Sequence, residues 1–389
     1  MTLRLTICIQ WKLRFVGAAT LILTALALTG HRAAAEPVVV SVLAPITGFL
    51  ALEGGAQRNG AVLAAEHASA KGPIAFDADV QDTTTAPDVA ISAFRRALRD
   101  GAPPGVLGPI LGSQMLALLP LADQAGVPIL TISGTAALTE MGSPNIFRFF
   151  PGDAVVKTAH ASYAVSEVGM KRPAILYQTT AYGQSGRAQL AAALAKLGVR
   201  PVYEEGLPPT AKDVSAALAK VKASGADGVL LHLHAGPTAL TIRQAREAGM
   251  TLPIVAGSAM HQPTTAALLT PDMLAGVCAE SGSAPAAETE GPAFAFAEAY
   301  RARFETEPDA FALAEYDAFT VLASVIEAGA DTPEAARQAL TSGSFNGAAM
   351  TYASNGKGDM AHDAVIVCYD GQSHRARIAK RYRFAADGR

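Results

Sequence analysis

The chain has 389 residues, of which 50% are hydrophobic and 17% are charged, and its formal net charge is −3 at pH 7. Intrinsic disorder is excluded, because disordered chains are rich in charge and poor in apolar residues. A protein with several membrane spans is also excluded, since a spanning helix needs roughly 20 successive apolar residues and the longest such run, 15–29, is shorter. Chains of this length normally divide into domains, so two domains are expected.

The first 35 residues have the three parts of a secretory signal peptide. A basic start precedes an uncharged apolar core, 15–29, and the Ala-rich stretch 33–35 offers a cleavage site. We therefore expect cleavage after Ala35 and export to the periplasm, with an uncleaved anchor helix as the alternative. Cleavage would remove four basic residues and no acidic one, which changes the net charge from −3 to −7.

The charge and the cysteines of the exported chain limit its partners and its covalent links. A net charge of −7 without a basic stripe argues against a nucleic-acid partner, because Lys and Arg bind the phosphates. Only Cys278 and Cys368 remain after cleavage. Export makes a disulfide between them chemically possible, but two small buried thiols fit the sequence equally well.

From residue 38 onward, short β-branched runs alternate with stretches of helical period, which predicts parallel α/β structure. The first half has predicted helices at 54–70, from about 88, and at 113–124, and predicted strands at 38–43, 74–82, 105–110 and 127–132. The alternation of strands and helices then begins again, with predicted strands at 174–177, 199–204, 228–234, 253–256 and 276–280. Two α/β halves of similar build are therefore expected.

The last third of the chain has a different pattern. The segment 281–287, rich in Ser, Gly, Ala and Pro, is predicted to be a linker. Helices are expected at 292–304, 310–328 and 333–341. Strands with Asn-Gly and Asp-Gly turns at 355–356 and 370–371 are predicted to complete the chain.

Motifs for catalysis or cofactor binding are absent from the sequence. It has no G-x-S-x-G, H-E-x-x-H, P-loop, G-x-G-x-x-G or C-x-x-C motif, so neither enzyme activity nor a cofactor is predicted. The best metal candidates are His232 and His234, because alternation along a strand would put both imidazoles on one face, with His261 in the next loop. No acidic or Cys partner lies nearby in sequence, so we favour polar side chains that line a cleft over a metal site.

Small hydroxyl residues follow two of the predicted strands. Ser113 opens a helix, and Ser133, Gly134 and Thr135 come where another strand ends. Ligands of open parallel sheets bind beyond the carboxyl ends of the strands, and a helix N-terminus offers free N–H groups to an anion. The pattern predicts a carboxylate held by hydroxyls and amides, although Ser113 also fits a simple N-cap. Tyr182, after a strand of the second half, is expected to close over the same ligand.

Seven short phrases, in order along the chain, make it resemble the periplasmic substrate-binding proteins of the leucine/isoleucine/valine-binding type, which serve ABC importers. The phrases lie at 43–48, 81–83, 126–128, 181–183, 213–215, 242–246 and 316–318. The resemblance implies the type I periplasmic binding protein fold, in which two Rossmann-like α/β lobes, with parallel sheets flanked by helices, are joined by a three-stranded hinge and close on a ligand.

The same resemblance implies a domain plan and a partner. Lobe 1 is expected to comprise 36–150 plus 281–361, and lobe 2 to comprise 151–280 plus 362–384. The protein is expected to be a monomer that delivers a branched-chain amino acid or a related small carboxylate to an ABC permease in the inner membrane. A ligand-sensing receptor of this fold is the alternative, and a periplasmic metal-dependent enzyme is a third possibility.

Carried over position by position, the resemblance implies a set of ligand contacts. Ser113, Ser133 and Thr135 match residues that hold the carboxylate and amino group of the ligand. Tyr182 matches an aromatic wall, and His234 falls where a Tyr is usual.

Two positions depart from the family pattern. Ala259 stands where these binders have the acidic residue for the ligand ammonium group, and Glu53 stands near an aromatic position. An ammonium group buried without a carboxylate would be costly. Three explanations remain open: Glu53 or Asp317 supplies the charge, the correspondence is shifted by a residue or two, or the ligand has no amino group.

Overall fold

Buried strands separated by helices form two sheets in the computed structural model, which describes residues 36–384. The first sheet is parallel, in the order β2-β1-β3-β4-β5, from β1 (Val38–Ala44), β2 (Phe76–Asp82), β3 (Val106–Gly108), β4 (Ile129–Thr131) and β5 (Ile146–Arg148). Its helices are α1 (Ala51–Lys71), α2 (Pro87–Ala97), α3 (Gly112–Ala125) and α4 (Ala137–Glu140). This half follows the predicted alternation of strand and helix.

The second sheet has seven strands in the order β14-β13-β10-β9-β8-β6-β7. They are β6 (Pro173–Gln178), β7 (Tyr203–Leu207), β8 (Gly228–His232), β9 (Ile254–Ala256), β10 (Val277–Ser281), β13 (Asp363–Tyr369) and β14 (Ala376–Arg383). The helices before and between them are α5 (Asp153–Ser166), α6 (Ala181–Lys196), α7 (Ser215–Ala223), α8 (Ala235–Glu247) and α9 (Pro263–Ala266).

The second sheet is mixed: five of its strands are parallel, as expected, and β13 and β14 complete it at one edge. β13 runs antiparallel to both β10 and β14, because the chain returns from the other half and then turns back in a hairpin. Its turn has Gly371 at a φ of 76°, a left-handed conformation that glycine adopts without strain.

Between β10 and β13 the chain forms elements that complete the first half. These are α10 (Gly291–Phe304), α11 (Ala310–Glu327), α12 (Pro333–Ser342) and a hairpin of β11 (Ser344–Asn346) and β12 (Thr351–Ala353). α11 is apolar nearly all round and almost wholly buried, as expected of a helix inside a core. It packs against α1 at backbone distance, since a Cβ at Gly60 would lie 2.1 Å from the carbonyl oxygen of Ala312.

The segment 281–287, predicted to be a linker, leads from β10 to the helices of the other lobe and is largely buried. Ser281, Ser283, Ala284 and Pro285 are buried, because this segment carries the chain out of the second sheet beside the cleft. The chain also passes between the sheets after β5 and before β13, so three crossings connect the two lobes. The exact lobe boundaries stay a prediction.

Cys278 and Cys368 form a disulfide bond, which decides between the two possibilities that the sequence left open. They are paired neighbours on β10 and β13, with 4.0 Å between their Cα atoms. These two strands lead out of the second sheet and back into it. The bond therefore ties together two of the three segments that cross between the lobes.

The segment expected to be a signal peptide, 1–35, lies outside the described residues. Within 36–384, no helix combines the length and the apolar character that a membrane span requires.

Candidate ligand-binding site

A cavity lies where loops and helix ends of the two lobes meet. Most of its wall is apolar and includes Leu50, Phe150 and Phe311. The polar side chains on the wall are those of Glu53, Asp153, Tyr182, His234 and Ser258. The lining residues include no Lys or Arg, so the described wall carries two carboxyl groups and no basic side chain to balance them.

One corner of the cavity combines the first turn of α3 with the loop after β4. Gly112 lines the cavity, and a Cβ there would lie 2.0 Å from Thr135 Oγ1, so glycine lets this hydroxyl approach the helix end. The first amides of a helix have no carbonyl one turn earlier to receive their hydrogen bonds. Ser133 and Thr135 are buried, and neither hydroxyl has a partner within the described part of the chain.

The predicted residues of this corner are not all on the wall. Gly134 lines the cavity, while Ser133 and Thr135, on either side of it, lie just behind. Ser113 is the second residue of α3 and is half-buried, and it is not among the lining residues. The structure therefore gives Ser113 a place at the helix end and leaves its hydroxyl away from the cavity.

The loop after β4 is held by a buried arginine that the sequence patterns did not identify. Arg148 donates to the carbonyl oxygen of Thr135 at 2.8 Å and to Thr139 Oγ1 at 2.8 Å. Its Nε lies 2.6 Å from Asp359 Oδ1. Because a paired guanidinium fixes this loop from behind, the hydroxyls of the corner are held in place before a ligand binds.

Aromatic rings of lobe 2 form the opposite wall. Tyr182 lies in the first turn of α6, with its ring centroid 3.9 Å from that of His232 and 5.1 Å from that of His234. His232 Nε2 donates to the carbonyl oxygen of Tyr182 at 3.1 Å. Burial lowers the pKa of His234 to about 3, so this ring is neutral at pH 7.

The two histidines are not alternating strand residues, as the sequence predicted. β8 ends at His232, and His234 is the N-cap of α8. Both rings contact Tyr182, but only His234 lines the cavity, and His232 is fully buried behind Tyr182. Among residues 36–384, no three His, Cys, Asp or Glu side chains are grouped as metal ligands would be.

Ala259 lies on the cavity wall, is 3% exposed and brings no charge. Asp317, one of the two acids proposed to replace the missing charge, points elsewhere. Its carboxylate accepts hydrogen bonds from the amides of Ala348 and Ala349 at 2.7 and 2.8 Å and from the hydroxyl of Tyr352 at 2.9 Å. Asp317 therefore fixes a turn and is excluded as a cavity residue.

Glu53, the other candidate, lies on the cavity wall near the start of α1. It is 2% exposed, and Oε1 accepts a hydrogen bond from the amide of Ala235, at the start of α8 in the other lobe, at 3.0 Å. Oε2 has no partner among the residues described. Burial raises the pKa of Glu53 from its ordinary 4.5 to about 7, although the Ala235 amide opposes this shift.

Asp153 is a second acidic residue on the wall, and the sequence patterns missed it. It begins α5, and its amide donates to the carbonyl oxygen of Gly134 at 2.7 Å. Its Oδ2 has no partner within 36–384. Burial raises the pKa of Asp153 to about 7, although Lys157 opposes the shift. An acid after Pro-Gly is typical of a helix start, so no separate sequence signal indicated a binding role.

A charged cluster lies behind the cavity, formed by Lys157, His160 and Glu280. The Glu280 carboxylate is paired with the Lys157 ammonium through one oxygen and lies 2.9 Å from His160 Nδ1 through the other. All three side chains are fully buried. Burial disfavours the charged form of Glu280, but Lys157 and His160 outweigh it and lower the pKa of this carboxyl below its ordinary value.

Direct hydrogen bonds join the lobes around the cavity. The amide of Ala136 donates to Ser185 Oγ at 2.9 Å, and the amide of Ala310 donates to His261 Nε2 at 2.9 Å. Phe49 packs against His234 with 5.4 Å between ring centroids. The cleft is therefore closed in this structure.

The fold and this closed cleft can be compared with known proteins. The model of the Periplasmic binding protein family matches residues 37–373. The chain belongs to this family. It is a type I periplasmic binding protein of the leucine/isoleucine/valine type, and the family is one of solute-binding proteins, for which a periplasmic location is implied.

Relatives in Pseudomonas aeruginosa match over most of their length. An "Amino acid binding protein" is 31% identical over 316 residues, which cover 78% of this chain and 82% of the relative. A leucine-, isoleucine-, valine-, threonine- and alanine-binding protein is 25% identical to this chain. The match covers 84% of this chain and 88% of the relative.

Solved structures share the fold at lower identity. The substrate-binding protein LivJ of Streptococcus pneumoniae, in complex with isoleucine, superposes with a TM-score of 0.80 at 21% identity, covering 89% of this chain and 100% of the other. A solute-binding protein of an ABC transporter from R. palustris, in complex with benzoate, has a TM-score of 0.82 at 16% identity, covering 91% and 99%.

Proposed function

We propose that this protein is the exported ligand-capturing component of an ABC importer, and that its cavity holds an amino acid or a related small carboxylate. The observation that carries the proposal is the polarity of the cavity. One corner of the wall offers helix-end amides, with two unpaired buried hydroxyls beside Gly134, and the rest of the wall brings two carboxyl groups with an unpaired oxygen each. This arrangement is complementary to a molecule with a carboxylate at one end and an ammonium group near it.

The two ends of the ligand have separate partners in this proposal. The ligand carboxylate lies at the first turn of α3, where amides and hydroxyls compensate its charge without a basic side chain. The ammonium group lies at Asp153, which stands against Gly134 on the border of the same corner. Asp153 thus takes the role that the family resemblance assigned to the position of Ala259.

Capture is non-covalent in this proposal and involves no catalysis. Lobe 1, at 36–150 plus 281–361, and lobe 2, at 151–280 plus 362–384, open and close about the three crossings. The hydrogen bonds between Ala136 and Ser185 and between Ala310 and His261 form on closure. The closed monomer, exported by means of the signal peptide at 1–35, then docks on an ABC permease. The names of the relatives, which are amino-acid-binding proteins, and of the benzoate-bound structure, a solute-binding protein of an ABC transporter, support this assignment.

The experiment is a calorimetric titration of residues 36–389 with a panel of amino acids, amides and small carboxylates. At least one amino acid is expected to bind, and Asp153→Asn is expected to weaken it at least about tenfold, because a charged hydrogen-bond partner is lost. Asp272→Asn, which changes an exposed acid, is the matched control. If no member of the panel produces heat or a thermal shift, the proposed function is wrong.

A further inference from the structure

Glu53 is the only side chain on the described cavity wall that makes a direct hydrogen bond across the cleft and also keeps an unpaired atom at the cavity. Oε1 accepts the Ala235 amide of the other lobe at 3.0 Å, and Oε2 has no partner in the described chain. Glu53 therefore belongs to the binding site and to the contact between the lobes at the same time.

The charges around Glu53 leave its carboxylate uncompensated. The groups that face it are Asp309, at the start of α11, and the cavity residues Asp153, Tyr182 and His234. None of these is a cation, since the His234 ring is neutral at pH 7.

The buried Lys and Arg side chains of the described chain, Lys157 and Arg148, are already paired. Lys157 is bound to Glu280, and Arg148 is bound to Asp359 at 2.5 Å. Neither lines the cavity. A buried carboxylate without a partner is strongly unfavourable, so compensation for Glu53 has to come from the ligand.

The alternative is a protonated Glu53 that donates a hydrogen bond to an acceptor on the ligand. The Ala235 amide argues against it, because this amide stands at the N-terminal end of α8, a 13-residue helix. The N-terminus of a helix favours a negative charge at this point. The ionised form of Glu53 is therefore the one that the other lobe supports.

We propose that the ligand is an amino acid with a second, cationic nitrogen group, and that Glu53 Oε2 binds this group while Oε1 holds α8. The proposal rests on the proposed function, and it makes Glu53 the residue that selects basic amino acids over aliphatic ones. A cation at Oε2 keeps Glu53 ionised, and the ionised carboxylate binds the start of α8 more strongly. The ligand charge is thereby coupled to closure of the lobes.

The test is a calorimetric comparison of lysine with norleucine, which has the same length and lacks the terminal ammonium group. For the unchanged protein at pH 8, lysine is expected to bind about 100-fold more tightly than norleucine. Ornithine and arginine are expected to show the same preference over norleucine. The preference is expected to decrease at pH 5.5, where Glu53 is protonated.

Two variants separate the role of Glu53 from a general loss of binding. Glu53→Gln is expected to reduce the preference for lysine over norleucine to under about fivefold, because the amide has no charge for the terminal ammonium group. Glu66→Gln, an exposed residue of the same helix that pairs with Arg303, is the matched control and is expected to keep the preference.

The outcomes are distinguishable. If norleucine or leucine binds the unchanged protein as tightly as lysine, this proposal is wrong and the proposed function stands; this comparison needs no variant to fold. If only carboxylates without an amine bind, and more tightly at low pH, Glu53 is a donor and the proposal is also wrong. If no ligand of the panel binds, the proposed function fails, and this proposal fails with it.

Discussion

Glu53 and Glu280 are equally buried, yet their pKa values move in opposite directions. Burial raises the pKa of Glu53 to about 7. For Glu280, burial is outweighed by Lys157 and His160, and the pKa lies below the ordinary value. Both oxygens of Glu280 have a partner, whereas one oxygen of Glu53 has none among the described residues.

The difference separates a structural carboxylate from one that is available to a ligand. The ion pair between Lys157 and Glu280 fixes how α5 packs against β10 in lobe 2, because one partner lies on each element. An unsatisfied buried charge at a cavity makes the ligand-free protein less stable and the ligand complex more stable. We expect three measurements to test this contrast, from the largest effect to the smallest.

Replacing Lys157 by Met is expected to cause the largest change. The variant keeps most of the side-chain volume but removes the cation of the Glu280 carboxylate and leaves it with His160 and the Ser258 hydroxyl. Loss of one partner of a buried ion pair destabilises by about 3–5 kcal/mol, which urea unfolding would measure. Adding Glu280→Gln to this variant is expected to restore much of the stability, because the stranded charge is removed.

An exposed pair is the control for this first prediction. Lys220→Met breaks the pair with Glu205, whose atoms lie 3.1 Å apart, and is expected to have little effect because the pair is in contact with water. Equal destabilisation by both Lys variants would show that Glu280 does not depend on its buried partner.

Replacing Glu53 by Gln is expected to stabilise the ligand-free protein at pH 8 but not at pH 5. In the folded state the pKa of Glu53 is about 7, above the ordinary 4.5, so the folded state holds this proton more tightly. The stability that this proton contributes to the folded state is complete below about pH 4.5 and is lost as the pH rises through 7. The benefit of the variant is therefore expected to grow by about 2–3 kcal/mol between pH 5 and pH 8.

Urea unfolding of the two proteins at each pH checks this second prediction. The buried histidines also titrate, but they are the same in both proteins, so the difference between the proteins isolates Glu53. A difference that is independent of pH would mean that Glu53 is ionised throughout this range.

The double variant Ser133→Ala/Thr135→Ala is expected to have the smallest effect. It removes neutral donors near the proposed carboxylate corner, and the affinity of the best amino acid in the panel should fall by about 1–3 kcal/mol. Ser113→Ala is expected to change the affinity less, because Ser113 is only half-buried, whereas Ser133 and Thr135 are fully buried and their hydroxyls have no partner in the described chain. Calorimetry at pH 8 measures both, and a larger loss from Ser113→Ala would place the ligand elsewhere.

Much of the fold could be predicted from local patterns. The helices α1, α3 and α11 begin within three residues of their predicted starts. The signals that predict a helix, its apolar periodicity and flanking glycines, lie within the segment itself. The burial of the linker 281–287 could not be predicted, since small residues suit an exposed linker and a buried crossing equally well. Its surroundings come from parts of the chain that are distant in sequence.

The candidate site could be predicted only in part, for the same reason. Strand ends and a helix start indicated the corner at Gly134 and Thr135, because the ends of parallel strands share one edge of a sheet. Asp153 had no local signal beyond that of a helix start. The choice between Glu53 and Asp317 required knowledge of which carboxylate was already bound within the protein.

The sequence by itself determined the family, the two-lobed α/β plan and the presence of a hydroxyl-rich corner, since these depend on residues close together in the chain. Tertiary structure alone decided that Cys278 and Cys368 are bonded, that Asp317 is satisfied, and that Glu53 faces the cavity while it binds the other lobe. Each of these depends on contacts between segments far apart in sequence, and the free energy of a buried charge depends on all of its neighbours.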